Sequence, residues 1–247
     1  MKWKLFLITW IVCTNINATQ TIIVGIAAGN PPLSYLVSSK NHFYGFEVDL
    51  MSDICRRIDV TCEFKPVVVS TIANEIHSGT INFAIAAITL PSKPQKEYVF
   101  SLPYLQSGGQ FLSLIGSNIN NPSDIKSKRV GVMRGALKGG SIFKDLILQM
   151  YDDEVKVVEY TTMHDLFLAL SKKEVDVIFS DELPVNYWYH QHKHLYNLVG
   201  SEIPLGNGYS IMASKRFGLQ ILQMNHALLD MMADGTYLKI YTHYFNF

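Results

Sequence analysis

The sequence has no surplus of charge. Its 247 residues include 21 basic and 21 acidic side chains, a formal net charge of zero. With no basic block there is no positive field to meet phosphates, so a nucleic-acid partner is not expected. Cysteine is scarce: Cys13, Cys55 and Cys62 are the full set. No second cysteine pair or nearby histidine completes a four-ligand set, which argues against a structural zinc site. Histidines cluster once, in His190-Gln191-His192-Lys193-His194, with His190 and His194 at i,i+4 spacing. No acid or cysteine adjoins them, so the segment reads as a polar helix end, and neither a metal nor another cofactor is expected. Long apolar runs are missing beyond the N-terminus, where a bilayer-spanning helix needs about 20 residues. What is abundant is apolar residues, 48% against 17% charged, which describes a globular chain and excludes disorder.

The one early apolar run has a specific form. Lys2 and Lys4 precede Leu5–Val12, and the small polar stretch Thr14–Ala18 follows. A charged start, a short apolar centre and a small-residue end make a secretory signal peptide over residues 1–18, with cleavage expected after Ala18. Cleavage removes Cys13. The two remaining cysteines, Cys55 and Cys62, then travel to an oxidising compartment, where an even count favours a disulfide.

The mature chain alternates strand and helix signals. Thr21–Ile26 is a β-branched apolar run that reads as a buried parallel strand, broken by Gly29-Asn30-Pro31-Pro32. Gly45–Leu50 leads into a helix with Met51, Ile54 and Ile58 on one face. Strands are predicted over Cys62–Val69 and Ile81–Ile88, with a short helix between them stopped by Gly79. The pattern restarts after Gln106–Gly109. Arg129–Met133, Val155–Tyr160 and Val175–Ser180 are strands, separated by helices over Gly139–Met150 and Met163–Ser171. Gly206–Ser210 reads as a second crossing, before a strand and a last helix. This predicts an α/β fold of two lobes, each a mostly parallel sheet flanked by helices: residues 19–107 with 207–247, and residues 108–206. Two crossings between lobes make a cleft that hinges. Ligands in such sheets sit beyond the carboxyl ends of strands, here Ala27–Asn30, Thr89–Ser92, Arg134–Lys138 and Ser180–Glu182. Tyr187-Trp188-Tyr189 is expected to pack between the lobes.

Six stretches in order carry a family resemblance. They are Val24-Gly25 followed by Pro31-Pro32; Gly45-Phe46-Glu47-Val48-Asp49-Leu50; Glu97–Tyr104, which contains Phe-Ser-Leu-Pro-Tyr; Arg129–Gly135, which contains Val-Gly-Val-x-x-Gly; Val175–Asp181; and Asp234-Gly235-Thr236-Tyr237 with Tyr244-Phe245. Across the whole mature chain the sequence resembles the family-3 extracellular solute-binding proteins, the polar amino-acid-binding proteins of bacterial ABC transporters. The spacing Cys55-x6-Cys62 is similar to the disulfide loop of the subgroup that binds lysine, arginine, ornithine and histidine.

The resemblance implies a type II periplasmic-binding-protein fold and a set of ligand contacts. Asp181 stands where the family's second-lobe aspartate takes the ligand ammonium; the alternative for it is a helix N-cap. Thr89 keeps a hydroxyl for the ligand carboxylate. Pro94 stands where the family has its carboxylate-clamping arginine, and neighbouring Lys93 lacks the bidentate fork. Ala87 retains only backbone groups, Asn30 stands where a stacking aromatic is common, Ala27 where basic-amino-acid binders keep an aspartate, and Val69 where a second aromatic is common. Arg134, beside Gly135 at a helix N-terminus, is the candidate replacement clamp, with a solvated or ion-paired role as its alternative. Glu47 is a candidate contact for a basic ligand tail, or else a helix cap. The ligand-binding set is therefore Asn30, Glu47, Ala87, Thr89, Arg134 and Asp181.

These readings imply a monomeric periplasmic binding protein of an ABC importer. It would close its lobes on an amino acid or similar solute and dock on an inner-membrane permease. It is not expected to be an enzyme. The alternatives are a cyclohexadienyl-dehydratase-like enzyme on the same scaffold, with Glu182 near the required position, and a ligand-sensing domain.

Overall fold

The computed structural model describes residues 20–40, 42–137 and 141–245. The expected signal peptide, Lys138 and the start of the helix predicted from Gly139 lie outside them.

Strand β1 (Gln20–Ala27) is followed by a small three-stranded sheet of β2 (Gly29–Asn30), β3 (Ser34–Val37) and β4 (His42–Tyr44). Helix α1 (Phe46–Arg57), β5 (Val60–Val67), α2 (Ile72–Ser78), β6 (Phe83–Ile85) and β7 (Tyr98–Phe100) complete the first run. β8 (Gly108–Leu114), β9 (Arg129–Met133), α3 (Ile142–Tyr151), β10 (Lys156–Tyr160), α4 (Met163–Ser171), β11 (Val177–Asp181), α5 (Glu182–Gln191) and β12 (Tyr196–Pro204) follow. The chain ends with β13 (Met212–Ser214), α6 (Gly218–Ala233) and α7 (Thr236–Phe245).

Two five-stranded sheets result, in the orders β5-β1-β6-β13-β7 and β10-β9-β11-β8-β12. In each, one strand runs against the other four: β13 in the first and β8 in the second. Both reversed strands are those by which the chain enters a sheet from the other one. The connecting segments lie side by side. Ser101 N–H donates to Ile211 O at 2.9 Å, Tyr104 N–H to Tyr209 O at 2.8 Å, Tyr209 N–H to Leu105 O at 2.8 Å, and Leu205 N–H to Ser107 O at 2.9 Å.

The elements follow from local chemistry. The β-branched runs of β1 and β9 are buried on both faces, as parallel strands covered by helices must be. Ile22, Val24, Ile26, Phe46, Leu50, Ile54 and Met224 form the core between the first sheet and helices α1 and α6. Ala73, Ile76 and Ile81 fill the opposite face under α2. The second sheet has a separate core around Phe111, Val132, Ile147, Leu166 and Phe179. Gly79 caps α2 in the left-handed region at φ 76°. Ser141 and Thr162 cap α3 and α4, accepting from Lys144 N–H and Asp165 N–H. Cys55 on α1 and Cys62 on β5 are joined as a disulfide, with their Cα atoms 6.1 Å apart.

Two expectations are corrected. The strand predicted over Ile81–Ile88 is paired only at Phe83–Ile85, because the residues beyond curl into a wall. Trp188 packs within the second sheet's layer, on Phe167 of α4 at 5.6 Å between ring centroids and on His192 at 5.6 Å, since α5 lies along β8, β11 and β12.

Helix α1 begins unusually. Its first donors, Phe46 N–H and Glu47 N–H, go to the carbonyls of Pro32 and Leu33 at 3.1 and 2.9 Å, which draws the proline loop onto the helix end. Gly45 makes this possible: at φ 131°, a methyl group there would lie 2.3 Å from Leu33 O. Gly45→Ala is expected to destabilise the protein by about 2–4 kcal/mol, from backbone strain plus overpacking. Urea unfolding of the two proteins measures it, and a difference under about 0.5 kcal/mol would refute the account.

Candidate functional site

The carboxyl ends of six strands face one another. β1, β5 and β6 end at Ala27, Val67 and Ile85 in the first sheet, and β9, β10 and β11 end at Met133, Tyr160 and Asp181 in the second. The residues at or just after these ends line a single cavity of about 800 Å³. It is where an α/β sheet offers helix N-termini and free backbone groups to a ligand.

Five of the six predicted site residues meet there: Asn30, Ala87, Thr89, Arg134 and Asp181 all line the cavity. Asn30 is buried, and its side-chain oxygen has no hydrogen-bond partner among the described residues. Ala87 adopts φ 48°, a left-handed conformation that an alanine holds only under constraint. The constraint is a hydrogen bond from its N–H to Glu47 Oε1 at 2.7 Å. Thr89 is half-buried and pairs its backbone with Tyr209. Arg134 is exposed at the rim, anchored by its N–H to Tyr160 O at 2.9 Å. Its guanidinium has no side-chain partner among the described residues.

Asp181 is the buried ionisable group of the lining, at 7% exposure. It occupies the N-cap position of α5 without bonding the helix N–H groups through its side chain. Its Oδ1 instead accepts from the buried Tyr209 hydroxyl. Burial pushes its pKa up to about 7; the Tyr209 bond opposes the rise, and nearby Glu47 and Glu182 add to it.

Glu47 is the correction. It does not line the cavity but lies fully buried behind the wall. One oxygen accepts from Ala87 N–H and from Tyr104 OH at 2.5 Å, the other from Ser34 Oγ at 3.2 Å. With three donors occupying it, it is neither a contact for a ligand tail nor a helix cap. Burial raises its pKa while these bonds hold it down. Pro94 is also absent from the lining, though Lys93 and Gln95 on either side belong to it.

Sequence reasoning missed Thr161–His164 and the start of α3, where Ile142, Phe143 and Asp145 reach the cavity. The signal was present, since Thr161 follows β10 and Thr162 caps a helix, the same strand-to-helix turn that marked the other ends. Ser180 and Glu182, expected at the cleft, are not among the lining residues. Glu182 faces Glu202, and burial plus that neighbour push it up to about 7. The histidine segment forms no metal-binding group among the described residues.

Two α/β sheets joined by paired crossings, with the strand ends of both opening on one cleft, define a type II solute-binding protein. Residues 22–247 match the family model described as "Bacterial extracellular solute-binding proteins, family 3", and the chain belongs to that family. It is 24% identical to the ABC transporter arginine-binding protein 1 of Escherichia coli K12, covering 93% of this chain and 92% of that one. It is 24% identical to the histidine-binding periplasmic protein of the same strain, covering 93% and 91%. A crystal structure of an arginine third transport system periplasmic binding protein from Legionella pneumophila superposes with a TM-score of 0.85 at 31% identity, covering 92% of this chain and all of that one. An ancestral arginine-binding protein bound to arginine superposes at 0.81 with 29% identity, covering 91% and 98%.

Proposed function

We propose that this protein acts in the periplasm as the monomeric substrate-binding component of an ABC importer, capturing an amino acid whose side chain carries no charge. The observation that carries the reading is Asp181: a buried carboxylate on the cleft wall, ending the Val175–Asp181 stretch that resembles the family's ammonium-binding strand. A cation entering the cleft relieves the burial of that charge, so binding and desolvation favour each other. Arg134, following β9 of the same sheet and with no side-chain partner among the described residues, supplies a bidentate fork for a carboxylate, in place of the clamp missing at Pro94. Thr89, Asn30 and the backbone at Ala87 add polar contacts from the opposite side. The rest of the wall mixes apolar side chains, including Val67, Val69, Ala86, Ala136, Met133 and Phe143, with polar ones such as Gln95, Thr162 and His164, and its other acid, Asp145, is exposed. A lining whose other acid is exposed supports a ligand other than the arginine named for several relatives. Closure would pivot on the crossings near residues 107 and 207, with the closed form docking on an inner-membrane permease. The protein is read as a binder and not an enzyme, in line with its relatives.

A thermal-shift screen with the twenty amino acids, putrescine and small organic acids tests this. Neutral amino acids at a hundredfold excess over Kd should stabilise by about 2.7 kcal/mol. Arg134→Ala should weaken them about tenfold or more, through loss of charge-assisted hydrogen bonds. Stabilisation by putrescine alone, unaltered in Arg134→Ala, would refute the zwitterion reading.

A further inference from the structure

Behind the cleft, two tyrosines stand on the two crossings, and each donates to a buried carboxylate. Tyr104 gives its hydroxyl to Glu47 beneath the first sheet's wall, and Tyr209 gives its hydroxyl to Asp181 at the end of β11. All four groups are at most 7% exposed. The tyrosine main chains are locked together by the pair of bonds Tyr104 N–H to Tyr209 O and Tyr209 N–H to Leu105 O, both 2.8 Å. Tyr209 also bridges to Thr89, which lines the cleft from the first sheet's side. Tyr209 itself does not line the cavity.

We infer that Tyr209 is a positioning residue for the ligand site: from the crossing it holds the Asp181 carboxylate aimed into the cleft and ties that carboxylate to the segment about which the lobes turn. This rests on the reading of Asp181 as the receptor for a ligand cation.

The argument is one of placement and donors. Asp181 ends a strand of the second sheet, while the Tyr209 backbone belongs to the paired crossings. Their side-chain bond therefore spans from the crossing to the binding wall. A phenol that donates to one carboxylate oxygen fixes the rotation of the group and leaves the other oxygen for a ligand. It also favours the ionised form against the burial that opposes it and against the charges of Glu47 on α1 and Glu182 on α5, the latter facing Glu202 on β12. Without the phenol, Asp181 would lose both its aim and the donor that keeps it charged.

Tyr209→Phe removes only the hydroxyl. The first measurement is the titration of Asp181 in ligand-free protein labelled with 13C-aspartate, with its resonance assigned by absence in Asp181→Asn. The midpoint should move upward by about one pH unit or more in Tyr209→Phe, which a merely structural tyrosine would not cause. The second is the melting shift produced by the twenty amino acids in wild type, Tyr209→Phe and Asp181→Asn. The apparent affinity should fall about tenfold or more in Tyr209→Phe and vanish in Asp181→Asn. An unmoved midpoint overturns the inference, as does unchanged affinity in Tyr209→Phe when Asp181→Asn has lost binding. If no amino acid stabilises the wild type, or Asp181→Asn responds as the wild type does, the reading of the cleft falls, and with it the ligand half of the inference. Should Tyr209→Phe not fold, the wild-type hydroxyl proton decides. A downfield resonance lost in Asp181→Ala, which removes the acceptor, supports the bond, and its persistence there overturns it.

Discussion

Asp181→Asn is expected to abolish ligand-induced stabilisation while making the empty protein more stable at pH 8. Both effects come from one buried charge. The folded-state pKa of about 7 lies above the ordinary 3.8, so the fold holds the Asp181 proton more tightly than the unfolded chain does. Stability from this group is then complete below the unfolded value and is lost as pH rises through about 7. At pH 8 the accumulated cost is roughly 4 kcal/mol, at about 1.4 kcal/mol per pH unit. Asparagine has no charge to bury, and its side-chain oxygen still accepts from Tyr209. At about 2–4 °C per kcal/mol for a chain of this size, the variant should melt roughly 10 °C higher than wild type at pH 8, with little difference near pH 4. Calorimetry at the two pH values, with and without amino acids, makes the measurement. Equal melting temperatures at pH 8 would mean that Asp181 is not the strained charge described.

The opposite outcome is expected at Glu47. Glu47→Leu keeps the bulk of the side chain but strands three donors in the interior: Ala87 N–H, Tyr104 OH and Ser34 OH. An unpaired buried donor costs about 1–3 kcal/mol, so the sum is roughly 3–9 kcal/mol, comparable to the whole stability of a typical domain. The backbone adds to this, since Ala87 holds φ 48° through its bond to this carboxylate. Glu47→Gln retains an oxygen for Ala87 and Tyr104 and should lose about 2 kcal/mol or less. Denaturant unfolding of the three proteins ranks them. Leucine and glutamine variants of equal stability would show that the carboxylate does not organise the wall.

How far the sequence carried each of these residues has a physical explanation. Asp181 was legible because a strand signal ended on it and a helix signal followed, and strand ends are where such sheets place ligands. Gly79 was equally open to reading through the chemistry of helix ends. Glu47 was not. An acid in the first turn of a helix reads as a cap or a ligand contact, and only the docking of the Pro32 and Leu33 carbonyls on α1 turns it inward. Ile81–Ile88 read as one long strand because a buried wall and a buried ladder need the same apolar composition. Tyr209 gave no signal at all: it lies in a turn-rich stretch with no periodicity, and its partners are Leu105, Thr89 and Asp181, far away along the chain. β8 and β12 were missed for a related reason. Their apolar pattern is ordinary, and antiparallel pairing across a long insertion is decided by neighbours that a local window does not contain.

The reversed strands β8 and β13 have a bearing on biogenesis. β13 is wedged between β6 and β7, and β7 touches its sheet only through β13. The first sheet is thus unfinished until residues 212–214 arrive, although most of it is made first. The second sheet draws all its strands from Gly108–Pro204, one unbroken stretch. During vectorial appearance of the chain, the later-made half is the one able to mature by itself, and the earlier-made half must wait with its central gap open. A ribosome or translocon stalled just short of β13 would release a molecule with one finished sheet and one incomplete one, its cleft half built.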